Sequence, residues 1–310
     1  MNNTLEFLLA RSPLWLADPP SLMAWATRHD LIPSGAIQPG KTLAGDDLPR
    51  AVVVNGVCVI PIVGPLVKTA SKLELAAGFA SYSALRDTIS AALATPGLNG
   101  ILLHIDSPGG SYDGLPEAVD AVAAAAKRVR VEALVDGMAA SAAFWLASPA
   151  ARITSARSSQ VGSIGAVLTH MSVARSLRDR GVDATVFSSP EGKASGHPFR
   201  ALDESSAKAL QARVDECAAE FRDGVLAARP GVAKEGLSGH VFTAPAALRL
   251  GLIDSVGESV GEVLLRMTSG NPAAASPSAV SKSVMNRSAF DRLNYAEKSA
   301  FCLGGGKITL

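Results

Sequence analysis

The stretch GILLHIDSPGGSYDGLPEAVDAVAAAAKRV, residues 100–129, predicts a strand, a turn and a helix in succession. Its apolar run 101–105 is typical of a parallel strand buried on both faces. Pro108 and the glycines that follow it indicate a turn, because proline lacks an amide donor and glycine frees the backbone. The segment from Leu115 onward has the composition of a helix. A strand that runs through a glycine turn into a helix is the repeating unit of an α/β fold, and its turn can offer backbone N–H groups to an anionic oxygen.

A second segment, VDGMAASAAFWLASPA at 135–150, places one serine in front of an apolar helix. Ser141 is flanked by alanines, the best helix formers, and Gly137 permits a close backbone approach. A serine at a helix entry lies near the positive end of the helix dipole, where an oxyanion is stabilised. Ser141 is therefore a candidate nucleophile. The alternative is a closely packed small-residue helix that begins with an ordinary serine.

Lys193 lies in a loop rich in glycine and serine, SSPEGKASGHPF at 188–199, after the apolar run ATVFSS, which we predict to be a strand. Most lysines in such loops are solvated. A lysine buried beside a serine would instead lose its proton readily, because burial disfavours the charged ammonium. It could then act as general base toward a hydroxyl.

The order of elements predicts one α/β domain with a mostly parallel sheet and covering helices. Two β-rich runs flank Asn55-Gly56, which is a hairpin signal. The glycines 109–110, Ser141 and Lys193 all follow predicted strands. Because functional groups gather at the carboxyl ends of parallel strands, we expect them to share one crevice.

Several of these segments, taken in order, resemble the signal peptide peptidase A family of Ser-Lys peptidases, and in particular its phage head-maturation branch of the lambda C protein type. The matching segments are DSPGG at 106–110, GMAASAAFWLA at 137–147, GSIG at 162–165, EGKASGHPF at 191–199 and VFTAPAALRLGLIDSVG at 241–257. The resemblance covers roughly residues 50–260 and implies a layered fold like that of the Clp protease and the crotonases.

The resemblance also implies roles for individual residues. The family's serine falls on Ser141 and its lysine on Lys193. The serine of the GSIG element falls on Ser163, which would orient the lysine amine. The oxyanion glycine falls on Gly109 or Gly110. The family further implies a polypeptide substrate, phage scaffold, portal or capsid proteins among the candidates, no cofactor, and a homo-oligomeric ring in which serine and lysine can come from neighbouring subunits.

Composition excludes several other classes of function. The chain has 310 residues with 29 basic and 28 acidic side chains, so no basic surplus points to nucleic acid. Three widely spaced cysteines show no metal-ligand spacing and suggest free thiols in a reducing compartment. No apolar run reaches the ~20 residues of a membrane span, and no secretory signal is evident. We therefore expect no metal and no membrane anchor, and action in the host cytoplasm or inside the phage procapsid.

The ends of the chain differ in character from the expected peptidase domain at 50–267. Residues 1–49 are interpreted as an arm and linker, with short amphipathic helices near Leu14–Trp15 and a role in capping or contacting a neighbour. Residues 268–284 have the low complexity of a flexible linker, and 285–310 predict an amphipathic tail. The tail could dock onto head proteins or be dispensable.

Other interpretations stay open at this point. His170 follows Ser141 at a distance that suits a Ser-His-Asp arrangement, although the GSIG element favours the lysine enzymes. A signal-peptide-degrading peptidase, an acyl-CoA enzyme on the crotonase fold, and a non-catalytic head-assembly scaffold are the alternatives in function.

Overall fold

The computed structural model of the chain describes residues 14–16, 51–269, 284–286 and 307–309. Nearly all of the predicted leader, linker and tail therefore lies outside the described residues, including the amphipathic helix expected in the tail.

Fifteen strands are described: β1 Leu14–Leu16, β2 Val52–Val54, β3 Val57–Val63, β4 Leu66–Val67, β5 Ala80–Ser81, β6 Gly100–Ser107, β7 Gly110–Ser111, β8 Arg130–Ala140, β9 Arg152–Ser155, β10 Gln160–Gly162, β11 Val167–Leu168, β12 Val241–Thr243, β13 Ser255–Val256, β14 Val284–Asn286 and β15 Lys307–Thr309. The α-helices of the same ranges are α1 Lys72–Ala76, α2 Tyr82–Leu93, α3 Leu115–Ala126, α4 Ala142–Ala147, α5 Ala174–Asp179, α6 Glu204–Ala228, α7 Ala244–Arg249 and α8 Val260–Thr268.

The central sheet has the order β12-β10-β8-β6-β3-β2, with β9 paired to β8 and β13 to β9. Strands β3, β6, β8, β9, β10 and β13 pair in parallel, and only the hairpin strand β2 and the edge strand β12 are antiparallel. The predicted α/β fold with a mostly parallel sheet is confirmed. The hairpin is confirmed as well, with Asn55 and Gly56 at φ values of 49° and 80° between β2 and β3.

Helices cover both faces of this sheet, which is why its strands are apolar at nearly every position. On one face, alternate residues of β3 and β6, among them Ile60 and Leu103, pack with α2, α3, α4 and α6 in the larger core cluster. On the other face, Val59 and Leu102 pack with α8 in a smaller cluster. The carboxyl ends of β6 and β8 therefore emerge from a rigid, double-sided core.

A second, smaller sheet lies at these carboxyl ends, with the order β11-β1-β7-β4-β5. Its strand β1 corrects the sequence prediction, because residues 14–16 form a strand and not a helix. Strand pairing with β7 and β11 explains the difference, since a three-residue segment takes its conformation from its neighbours.

Residues 169–202, which we call the lysine segment, also depart from the prediction. The strand expected from ATVFSS, residues 184–189, is not present; these residues have no regular structure, and Phe187 is 91% exposed. No strand of the described chain pairs with these residues, so their β propensity is not realised. Helix α5 ends shortly before Gly181 in this segment.

Candidate active site

Ser141 lies at the junction of β8 and α4 in a backbone conformation that serine rarely adopts. Its φ is 54° and its ψ is −122°, and the residue is only 1% exposed. Such a conformation costs roughly 1–3 kcal/mol and persists only where the surrounding structure enforces it. Its side chain makes no capping hydrogen bond to α4, whereas Ser81, Asp203 and Ser259 cap their helices. The interpretation of Ser141 as an ordinary helix-capping serine therefore loses its support.

Asp106 holds the part of β8 that lies just before Ser141, and the sequence analysis did not single this residue out. The register between β6 and β8 shifts around Asp106, and its Oδ1 accepts a hydrogen bond of 3.0 Å from the Met138 N–H. Gly137 has a φ of 128°, and a Cβ there would lie 2.3 Å from Asp106 Oδ1. Asp106 and Gly137 together bend β8 just before it reaches the serine. The sequence signal was present, since Asp106 begins the DSPGG element.

The glycine turn after β6 is held by Ser107, which was also not singled out. Its buried hydroxyl donates to the Gly64 carbonyl at 2.7 Å and accepts from the Gly109 N–H at 3.2 Å. The Gly109 amide is thus engaged within its own turn. Strand β7 follows directly, and α4 packs against it. The turn and the Ser141 junction are therefore neighbours in the fold.

The Gly110 amide points to the other side of β7. The Gly109 carbonyl accepts a hydrogen bond of 2.9 Å from Leu66 of β4. In a trans peptide the C=O and the following N–H point in opposite directions, so the Gly110 N–H faces away from β4. A side chain at this position is excluded, because a Cβ on Gly110 would lie 2.0 Å from the Leu66 oxygen.

Ser163 lies beside Ser141 through the parallel pairing of β8 with β10. The Ser141 N–H donates to the Gly162 carbonyl at 2.7 Å, and the next residue, Ser163, has a φ of 57°. The Ser163 N–H donates to the His240 carbonyl at 2.7 Å, and the residue is 9% exposed. The fold thus brings together Ser141, Ser163 and the glycine turn, all at the carboxyl ends of adjacent strands.

Lys193 is not part of this cluster within a single chain. It lies in the short 3₁₀ helix Glu191–Ala194, its side chain is exposed, and no hydrogen bond or ion pair joins it to Ser141 in the described part of the chain. The burial that the sequence analysis expects for this lysine is therefore absent from the isolated subunit. Lys193 and its neighbours Glu191 and Gly192 are exposed, although the adjacent Ala194 is buried.

The histidine alternative gains no support from the described residues. His170 lies beside Gly196 of the lysine segment, and its Nε2 is buried without a hydrogen-bond partner. No hydrogen bond connects it to Ser141 in the part of the chain that is described.

Two other titratable groups near the site have shifted pKa values. A hydrogen bond from His104 lowers the pKa of Asp136, the residue that precedes the bend of β8. Burial, together with a hydrogen bond to Glu220 of α6, raises the pKa of Tyr112 well above its usual value. Tyr112 follows β7 directly, so this hydrogen bond ties the long helix α6 to the strand after the glycine turn.

Among the residues described, no group of three or more His, Cys, Asp or Glu side chains is arranged to hold a metal ion. A search of the same residues for a helix with the length and hydropathy of a membrane span finds none.

Comparison with known proteins relates part of the chain to a family of peptidases. Residues 123–271 match Peptidase family S49. The head-tail preconnector protein of Enterobacteria phage P21 is 32% identical over 69% of this chain and 44% of its own length. Capsid assembly protease C of Escherichia phage lambda is 32% identical over 59% of this chain and 42% of its own length. A putative protease of Methanocaldococcus jannaschii is 29% identical over 52% of each chain.

The chain thus spans about half the length, or less, of these curated relatives. The matched region includes Ser141, Ser163 and Lys193 and begins within α3. On the strength of this match and of the Ser141 junction, we conclude that the chain contains a domain of Peptidase family S49.

Proposed function

We propose that the chain is a serine endopeptidase in which Ser141 is the nucleophile and Lys193 the general base. One observation carries this proposal: Ser141 has a strained left-handed backbone at a strand-to-helix junction, and its side chain does not cap the helix. Strained strand-to-helix turns that carry a serine are a recurrent solution for presenting a nucleophile.

The proposed chemistry follows the usual course of acyl transfer. The neutral amine of Lys193 takes the proton from Ser141 Oγ, which attacks the peptide carbonyl carbon. The oxyanion is bound by the Gly110 N–H, and not by Gly109, whose amide is already bonded to Ser107. The proton passes to the leaving amine, and water then hydrolyses the ester. Ser163 orients the lysine amine in this scheme.

We further propose that a second copy of the chain completes the site. Lys193 is exposed in one subunit, and six large apolar side chains of the lysine segment are exposed with it. These are Met171, Val173, Val182, Phe187, Phe199 and Leu202, between 41% and 91% exposed. Exposed apolar clusters of this kind mark interaction surfaces, and burial there would remove water from the amine. A homo-oligomeric ring in which the lysine segment packs on a neighbour satisfies both requirements.

The proposed substrates are proteins of a phage head, such as scaffold, portal or capsid proteins, because the relatives include a head-tail preconnector protein and a capsid assembly protease. Action would then take place in the host cytoplasm or within the procapsid. The peptidase domain at 50–267 and the roles of the arm, linker and tail are part of the same proposal.

A serine-reactive fluorophosphonate probe tests the nucleophile directly. We expect the wild-type chain to be labelled at Ser141, the Ser141→Ala variant not to be labelled, and Lys193→Ala to be labelled at least ~10²-fold more slowly, the size of a typical general-base contribution. His170→Ala is the matched control and should label at the wild-type rate. Undiminished labelling of Lys193→Ala, or loss of labelling in His170→Ala, would contradict the lysine dyad.

Assembly is tested by mixing inactive variants. If the dyad forms between subunits, Ser141→Ala and Lys193→Ala chains should regain part of the activity when they are co-assembled. Phe187→Ser should lower both the sedimentation coefficient and the activity, whereas Val53→Ser, at an exposed apolar position outside the lysine segment, should change neither. A fully active monomer would contradict the ring.

Mass spectrometry of co-expressed head proteins, with wild-type and Ser141→Ala chains, identifies the substrate.

A further inference from the structure

Strand β1 of the chain lies between two strands that both lead to the candidate site. Trp15 and Leu16 pair antiparallel with Ser111 and Gly110 of β7. Leu14 and Trp15 also pair antiparallel with Leu168 and Val167 of β11. A segment far from the core in sequence thus fills the gap between β7 and β11.

Both strands that flank this gap continue from segments that surround the nucleophile. Strand β7 follows the glycine turn that Ser107 holds, and β11 follows Gly162–Ser163, whose first carbonyl binds the Ser141 amide. With β1 removed from the order β11-β1-β7, the facing edges of β7 and β11 would each lack a strand partner. Such a pair of edges accepts an extended peptide through main-chain hydrogen bonds.

The direction and register of β1 place its last residue at the oxyanion donor. Because β1 is antiparallel to β7, the chain from Leu14 to Leu16 runs toward the glycine turn. Leu16 is the register partner of Gly110, and the Gly110 N–H faces away from β4, toward β1. The Leu16 backbone therefore lies beside the amide that we propose as the oxyanion donor.

We propose that β1 is an intramolecular occupant of the peptide-binding cleft, and that it competes with polypeptide substrates for the edges of β7 and β11. The expected inhibition of catalysis rests on the proposed peptidase function, whereas the pairing of β1 with β7 and β11 does not. Residues 17–50 connect β1 covalently to the domain, and intramolecular attachment gives effective concentrations on the order of millimolar. An occupant whose dissociation constant is about a tenth of this effective concentration weakens substrate binding roughly tenfold.

A binding experiment without catalysis tests the occupancy. The full chain carrying Ser141→Ala is titrated into a fluorescently labelled peptide of residues 11–20, RSPLWLADPP, and the anisotropy is followed. Adding Trp15→Pro to the chain removes one amide donor from the middle of β1, where proline is not tolerated between two strands. We expect the peptide to bind the Trp15→Pro chain about tenfold more tightly. Trp15→Thr keeps the backbone amide and favours strand geometry, so it is the matched control. Its affinity for the peptide should stay close to that of the parent chain.

Equal affinity in the Trp15→Pro and parent chains, or no binding to either, would overturn the proposal. An equal gain in Trp15→Thr would also overturn it, because the effect would not come from the backbone ladder. The same pair of variants is then assayed with Ser141 restored. Tighter peptide binding without hydrolysis of any peptide by either chain would refute the proposed peptidase function while the cleft occupancy stands.

Discussion

Ser107→Ala should uncouple the glycine turn from the nucleophile at a calculable cost in stability. The Ser107 hydroxyl is fully buried, donates to the Gly64 carbonyl at 2.7 Å and accepts from the Gly109 N–H at 3.2 Å. Alanine would leave both backbone groups without this partner. A buried polar group that loses its partner costs about 1–3 kcal/mol, so we expect a loss of about 3 kcal/mol in the free energy of unfolding. For a chain of this size that corresponds to a fall in Tm of roughly 6–12 °C.

The same change should slow catalysis, because the Gly110 donor is attached to the turn that Ser107 holds. Loss of an oxyanion donor outright costs about 10²–10³ in kcat, and a displaced donor should cost about tenfold or more with KM little changed. Urea unfolding and initial rates on a fluorogenic peptide measure the two effects separately.

Ser148→Ala is the matched control for this experiment. Ser148 is as buried as Ser107, but its hydroxyl donates only to the Trp145 carbonyl, which its own N–H also contacts. Its removal should cost less than about 1 kcal/mol and leave kcat unchanged. If Ser107→Ala and Ser148→Ala are equally stable and equally active, the reasoning about the turn is refuted.

Three further predictions concern backbone strain, pH and a buried charge. Ser141→Gly should be more stable than Ser141→Ala by about 1 kcal/mol in thermal unfolding, because only glycine adopts a φ of 54° without strain; equal stability would mean that the junction is unstrained. Hydrogen bonds from the Ser206 backbone and neighbouring hydroxyls lower the pKa of Asp203 from 3.8 to about 2. The stability that the ionised Asp203 gives to α6 is therefore present above pH 3.8 and lost as the pH falls toward 2. Asp203→Ala should remove that part of the acid unfolding transition, and an unaltered transition would contradict the role of Asp203 as a helix cap. Arg266→Met should destabilise the fold by about 1–3 kcal/mol, because Glu132, which is 1% exposed, loses a partner at 2.6 Å and retains its ion pair with Arg130, while labelling of Ser141 stays normal in the folded protein; a chain as stable as wild type would show that the Arg266–Glu132 pair is dispensable.

The sequence by itself determined most elements of the central sheet and its helices, and it pointed to most of the residues that we propose for the site. Apolar runs of strand length, the hairpin signal and the capped helix α6 are local patterns, and local patterns fix local structure once a core is available. Ser141 was identifiable for the same reason, since a serine between a strand and an apolar helix can be recognised from its immediate neighbours. The Gly109–Gly110 turn was likewise evident from the residues that end β6.

Only the tertiary structure decided how these groups act together. The hydrogen bond of Asp106 to Met138, the orientation of the Gly110 amide and the pairing of Leu14–Leu16 with β7 all join residues distant in the chain. No periodicity records such contacts, because each depends on the register of strands that meet only in the folded sheet. The exposure of Lys193 has the same origin, since burial is a property of what packs against a segment and not of its sequence.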